Sequence, residues 1–369
     1  MAININEIAN NGIDDDNNGV VDDVYGASFF GFSEGVPPSS PMDLHSHGTH
    51  IASLVAAESN NNEGIVGINQ QVSLIGVRFL DADGAGTQAD ASAAIYYAVQ
   101  RGADVINCSW GYFKANTILK DAIQYAIDSG VVVVAAVGNT ATNVKEYPAS
   151  LPEVICVGSM ETNLKLSSFS SFGTQLDFLV YGRNIYGAIL DGHYGYKTGT
   201  SQSAGIITGL VSIVLSQNNQ LSLNDIVLKL QYAAANGTNR QSQTGFGAIQ
   251  APSFLESMSL TSNDIYSTTD IISSTGDFTL DNVYNFPNPI ISNSTTFGFE
   301  TTEAGAAVTV SIFDLDGNQI TTLQDTSVDG YNSISWDLDN QPNGTYLYHV
   351  KLDNGETTEI ALQKLAIIR

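Results

Sequence analysis

The sequence predicts an α/β domain with a doubly wound, mostly parallel sheet, followed by a small all-β sandwich. Three observations carry this expectation. Up to about residue 251, continuous apolar runs of strand length alternate with patterns of helix length. From 252 to 281 the composition shifts to Ser, Thr, Asp and Ile without periodicity, which reads as a linker. From 282 to 369 short β-type runs alternate with Asp-Gly and Asn-Gly steps that suit tight turns.

In the first region, strands are expected at Val72 to Leu80, Val105 to Ser109, Val131 to Val137, Val154 to Val157 and Leu176 to Tyr181. These runs are rich in Val, Leu and Ile with few alternating polar residues, as in strands covered on both faces. Helices are expected near Gln88 to Arg101 and Ile118 to Asp128. Another starts at Ser222, where Ser222 and Asp225 form a capping pattern ahead of IVLKLQYAAA. In the last region, Val308 to Phe313, Ser333 to Trp336, Tyr346 to Leu352 and Thr358 to Leu365 read as strands, separated by DLDGN, DNQPNGT and DNGE.

A chain of 369 residues is long enough for one large core and a second, smaller one. Thirteen Lys and Arg against thirty-eight Asp and Glu give a net charge of −25, spread along the chain. Such a surface repels nucleic acid and anionic lipid, so neither is expected as a partner, and it favours solubility. No apolar stretch approaches the ~20 residues of a membrane span. The start, MAININEIANNG, has neither a basic patch nor an apolar signal core; read literally the chain stays in the cytoplasm, and the better expectation is that Met1 is not the natural beginning. Cys108 and Cys156 lie in apolar runs and read as free core thiols, with a disulfide between them left open.

Three islands carry chemistry: HSHGTH around His47, VVVVAAVGN ending at Asn139, and YKTGTSQSAG around Ser201. They offer a base, an amide donor and a nucleophile, the parts that acyl transfer by a serine requires. Ser201 precedes the helical pattern IITGLVSIVL, so a helix N-terminus places positive potential and free N–H groups beside it; a plain capping serine is the bland reading. Clustered His45, His47 and His50 allow a zinc reading, but H-E-x-x-H is absent. Asn139 closes a Val and Ala strand, at the edge where such sheets bind ligands. In NGIDDDNNGVVDDV, oxygen ligands at Asp14, Asp16, Asn18, the Val20 carbonyl and Asp22 have the spacing of the start of a calcium loop, with Tyr25 where the closing Glu would stand. Calcium and a plain Asx-rich turn are the two readings.

The order and wording of the islands resemble the subtilisin-like serine proteases, the subtilases, over roughly Asn11 to Asn236. The resemblance implies a secreted serine endopeptidase in which Ser201 attacks, His47 moves the proton and Asn139 joins the Ser201 N–H at the oxyanion. It also implies that Ser109, Trp110 and Gly111 of GADVINCSWG, flanked by Gly84 and Gly86 of VRFLDADGAGT, pair with extended protein or peptide substrates. Similar acidic inserts occur in subtilases, which supports a structural calcium. The family's orienting Asp ends its first core strand; here Met1 to Ala9 contain no Asp, and Asp14, Asp15, Asp16, Asp22, Asp23 and Asp43 match loop positions. A catalytically impaired peptide-binding or structural protein is therefore the alternative. Gly205 stands where the family has Pro and is expected to loosen the start of the Ser201 helix. In the tail, NFPNP, VTVSIFDLDGNQI, GYNSISWDL and the terminal QKLAIIR resemble the C-terminal sorting domain of type IX secretion in Bacteroidetes and the Ig-like domain of hook-capping proteins. That implies export, contact with the secretion machinery, and a secreted or cell-surface location.

Overall fold

The computed structural model describes residues 1–259, apart from 39, 152, 238, 239 and 242, and residues 280–367, apart from 287, 289, 291, 292, 315–318, 339, 340 and 355–357. The chain forms two compact units, Met1–Tyr266 and Ser267–Arg369. Most of the expected linker, 260–279, lies outside the described residues, as do the turn steps at 316–317 and, in part, 354–355.

The first unit is built on four parallel strands, β3 (Val105–Cys108), β4 (Val132–Ala136), β5 (Ile155–Met160) and β6 (Phe178–Tyr181), in that spatial order. Strand alternation divides their side chains between two cores. Val133, Ala135 and Val137 face one core with Cys108 and Ile106, while Val132, Val134 and Ala136 face the other. Helices α2 (Gln88–Gln100) and α3 (Thr117–Asp128) cover the first core. Helices α4 (Thr200–Gln217) and α5 (Leu223–Ala233) cover the second. Three of these helices are capped at the start: Thr87 accepts from Asp90 N–H, Asn116 from Leu119 N–H, and Ser222 and Asp225 form a reciprocal box; the start of α4, at Gly199, has no side-chain cap. Both cysteines are free and buried, and burial pushes the Cys108 thiol up to about 12.

The expected strand Val72 to Leu80 shortens to β2 (Gly76–Arg78), which pairs in parallel with β1 (Gly26–Ser28), a strand the sequence did not mark. These two form a sheet of their own, with no β2–β3 ladder among the described residues. Yet Ile75, Val77 and Phe79 pack into the same core as Ile106 and Cys108. The sheet is thus interrupted between β2 and β3. Helix α1 spans His47–Ala56; the other departures are the antiparallel hairpin β7 (Ile185–Ala188) and β8 (Tyr194–Lys197), and helix α6 (Ala251–Met258). Helix α6 occupies the start of the expected linker; it buries Phe254 and accepts a 2.7 Å hydrogen bond from Lys229 Nζ at the Ser257 carbonyl.

The second unit contains β9 (Leu280–Phe286), β10 (Ser294–Thr301), β11 (Ala307–Phe313), β12 (Gln319–Thr326), β13 (Gly330–Asp337), β14 (Gly344–Asp353) and β15 (Thr358–Ile367). One sheet runs β13-β10-β9 and the other β12-β11-β14-β15, all pairs antiparallel. Phe297, Phe299 and Trp336 from the first sheet share a core with Val308, Val310, Tyr348 and Val350 from the second. The alternation in β13 is clean, with Asn332, Ile334 and Trp336 buried between exposed neighbours.

Candidate active site

His47 is the first residue of α1, and the segment on either side of it is held by Asp43. The Asp43 carboxylate accepts from the N–H groups of His45, Ser46 and Thr49 and from the Thr49 hydroxyl, all between 2.7 and 3.0 Å. Burial alone would raise the Asp43 pKa, but these hydrogen bonds outweigh it and hold the carboxyl below its ordinary value. Its lone pairs are taken up in capping the helix, so Asp43 is a positioning group for the HSHGTH segment. His47 has no carboxylate partner among the described residues. His50 is fully buried, with Nε2 3.1 Å from the Ile185 carbonyl, and it ties α1 to the hairpin.

Burial, then the charges of Lys197 and His45, push the His47 imidazole down to about 4. Below its ordinary value of 6.5 the unfolded histidine takes a proton that the folded one refuses, so folded stability falls as pH drops from 6.5 toward 4 and is unaffected above 6.5. His47→Gln should therefore flatten the pH dependence of urea unfolding in that window, and an unchanged slope would contradict this environment.

Ser201 is the second residue of α4 and is 9% exposed. Its Oγ donates to the Ser109 carbonyl at 3.2 Å, while Ser109 Oγ donates to the Ser201 carbonyl at 3.0 Å. The nucleophile candidate thus sits against the C-terminal end of β3. Asn139 follows β4, and its Oδ1 accepts from Thr200 N–H at 2.8 Å and Thr200 Oγ1 at 3.1 Å. This fixes the amide so that Nδ2 points away from Thr200, with no partner among the described residues. Ser201, Asn139 and Ser109 are therefore brought together by the ends of three elements.

Trp110 packs edge-on to Phe79 with centroids 4.9 Å apart, and Tyr112 donates to the Gly86 carbonyl at 2.8 Å. The Ser109–Gly111 segment thereby meets the loop carrying Gly84 and Gly86. Gly84 has φ 79° and lies against the His45 ring. Gly205 is where α4 approaches α1: a Cβ there would lie 3.1 Å from Ile51 Cγ2. The glycine that the sequence marked as loosening the helix is a close-packing position between the helices that carry His47 and Ser201.

The expected cation ligands are only partly assembled. Asp14 and Asp16 converge with Glu7, their carboxylate oxygens within 4.8 Å of one another. Asp22 adopts φ 55° and turns instead to the N–H groups of Asn11 and Gly12. The Asn18 Oδ1 is taken by the Val20 N–H, and the Val20 side chain enters the core. Glu7 was missed because it lies upstream of the loop, outside any ligand spacing.

Residues 9–248 match the subtilase family and residues 284–365 match the secretion system C-terminal sorting domain. The chain belongs to the subtilase family. The thermophilic serine proteinase of Bacillus sp. strain AK1 is 42% identical over 177 residues, covering 48% of this subtilase but 44% of that enzyme. Thermitase of Thermoactinomyces vulgaris is 35% identical over 207 residues, covering 56% of this chain and 72% of the relative. Among solved structures, the prenylagaramide maturation protease PagA superposes with a TM-score of 0.54 at 29% identity, covering 60% of this chain and 85% of PagA. With its sorting domain, this subtilase is a secreted or cell-surface protein. No described helix is long and apolar enough to cross a membrane.

Proposed function

We propose that this subtilase is a serine endopeptidase that hydrolyses peptide bonds in extended protein or peptide segments. The observation that carries the reading is the Thr200–Asn139 bonding, which turns Asn139 Nδ2 away from Thr200, the residue before Ser201, and leaves it free to donate. A substrate strand pairs with Ser109, Trp110 and Gly111 and runs past Gly84 and Gly86 through main-chain hydrogen bonds. His47 takes the Ser201 proton as the hydroxyl attacks, and returns it to the leaving amine. The carbonyl oxygen becomes an oxyanion held by Asn139 Nδ2 and the Ser201 N–H at the start of α4. Secretion follows from the sorting domain, whose resemblance to type IX modules points to a Bacteroidetes source and to contact with that machinery.

One observation favours a second reading. His47 lacks a carboxylate partner among the described residues, and the sheet is interrupted between β2 and β3. Losing the orienting carboxylate of a triad lowers kcat by about 10⁴, and a subtilase so impaired would act as a peptide binder. Cleavage of a dye-labelled unfolded protein by this chain, abolished in Ser201→Ala, supports the endopeptidase. Binding of the same substrate without Ser201-dependent cleavage supports the binder.

A structural calcium fits Glu7, Asp14 and Asp16. The Glu7 side chain is buried, its Oε1 accepts from the Asp15 and Asp16 N–H groups, and its Oε2 is buried with no partner among the described residues. A carboxylate oxygen in that state, facing two further carboxylates, is compensated by a hard cation. Calcium is expected to raise the melting temperature of the wild type and to lose most of that effect in Glu7→Gln; an equal rise in both would remove Glu7 from the ligand set.

A further inference from the structure

The segment after Asn139 returns to the active site. Tyr112 and Tyr147 form a short antiparallel bridge, their N–H groups donating to each other's carbonyls at 2.9 and 2.8 Å. The bridge sets Glu146 beside Gly111, where a Cβ would lie 2.9 Å from Glu146 Oε2. The same carboxylate reaches the other wall, since a Cβ on Gly138 would lie 2.1 Å from Glu146 Oε1. Gly138 also has φ 108°, a conformation that favours glycine. Two glycines, Gly111 after β3 and Gly138 after β4, thus flank the Glu146 carboxylate.

That carboxylate has no cation and no hydrogen-bond donor among the described residues. It is half-buried, and burial pushes its pKa above the ordinary glutamate value. A partly desolvated, unpaired carboxylate is costly unless a cation reaches it. Position decides which part of a substrate would do so. Gly138 directly precedes Asn139, so the substrate residue whose carbonyl oxygen meets Asn139 Nδ2 has its own side chain next to Gly138. Gly111 belongs to the segment on which that residue pairs.

We propose that Glu146 is the specificity-determining residue of this subtilase, selecting substrates with a lysine or arginine on the acyl side of the scissile bond. The inference rests on the endopeptidase reading for the orientation of the substrate, and it deepens that reading by naming the substrate class. A long cationic side chain passes between the glycine backbones at 111 and 138 and ends on the Glu146 carboxylate. Its methylenes lie against backbone while its charge is paired away from bulk water.

The test uses Ser201→Ala in the full chain, which removes the nucleophile and makes binding independent of catalysis. Dye-labelled hexapeptides that differ in one residue, Arg, Lys, Gln or Phe, are compared by fluorescence anisotropy. The Arg and Lys peptides are expected to bind roughly ten- to a hundredfold more tightly than the Gln and Phe peptides, the lower part of the range for a close charge pair at an interface. Adding Glu146→Gln should collapse that ratio to near one, and adding Glu146→Asp should retain a preference for the cations. Equal binding of all four peptides, preference for Phe, or a cation preference that survives Glu146→Gln overturns the proposal. Failure of the endopeptidase reading has a different signature: cation-selective binding in this background, with no Ser201-dependent cleavage by the parent chain.

Discussion

Asn139→Ala should slow phosphonylation of Ser201 by a fluorophosphonate by about 10²–10³, or ~2.7–4 kcal/mol; that magnitude comes from removal of an oxyanion donor in a subtilisin. The physical basis is specific to this site. Thr200 supplies two donors to Asn139 Oδ1, so Nδ2 is presented without any cost of reorganisation when negative charge develops. Thr200 Oγ1 in turn accepts from the Gly138 N–H at 3.3 Å, which joins the end of β4 to the start of α4. Asn139→Asp tests the same point with nearly the same shape, because it replaces a donor by a negative charge; it should be at least as slow as Asn139→Ala. Labelling within a few-fold of wild type in both variants would remove Asn139 from the oxyanion site.

Asp23→Ala should destabilise the first unit by about 3–5 kcal/mol, the cost of leaving one partner of a buried ion pair alone. The Asp23 side chain is fully buried and lies 3.0 Å from Arg101 Nη1, whose side chain is 7% exposed. It also accepts from Tyr97 at 2.5 Å, from Asn18 Nδ2 at 2.9 Å and from Asn4 Nδ2 at 2.8 Å. Burial, and then the bond to Asp23, push the Tyr97 phenol well above its ordinary pKa. Removing the Asp23 carboxylate leaves the Arg101 guanidinium only neutral partners, the residue 23 carbonyl and the Tyr97 hydroxyl, takes the acceptor from the Tyr97 phenol, and frees the acidic loop from its anchor. Calorimetry should show the transition of this unit lowered by about 6–20 °C. A shift under 2 °C would mean that water or a neighbouring side chain replaces the carboxylate.

What was legible in the sequence depended on burial. Val131 to Val137 reads as a strand because β4 is buried on both faces, and it forms with its ends trimmed to Val132–Ala136. The Ser222–Asp225 capping box was equally plain, since both partners lie within four residues. The hairpin of β7 and β8 was not legible: IYGA and YGYK are short, half-exposed and interrupted by glycine, so no period stands out. Helix α6 was hidden in a Ser- and Thr-rich stretch, its burial resting on Phe254 and Ser257. At the site, His47, Asn139 and Ser201 were marked by their own segments. Glu7 and Glu146 were not, because each arrives by tertiary contact from a segment without a motif.

The most direct measurement is labelling of the purified full chain with a fluorophosphonate, with Ser201→Ala as control and the modified residue located by mass spectrometry. A single adduct on Ser201 is expected, absent from Ser201→Ala and formed much more slowly in Asn139→Ala. A folded chain that takes up no probe at saturating concentration, or one labelled equally after Ser201→Ala, would contradict it.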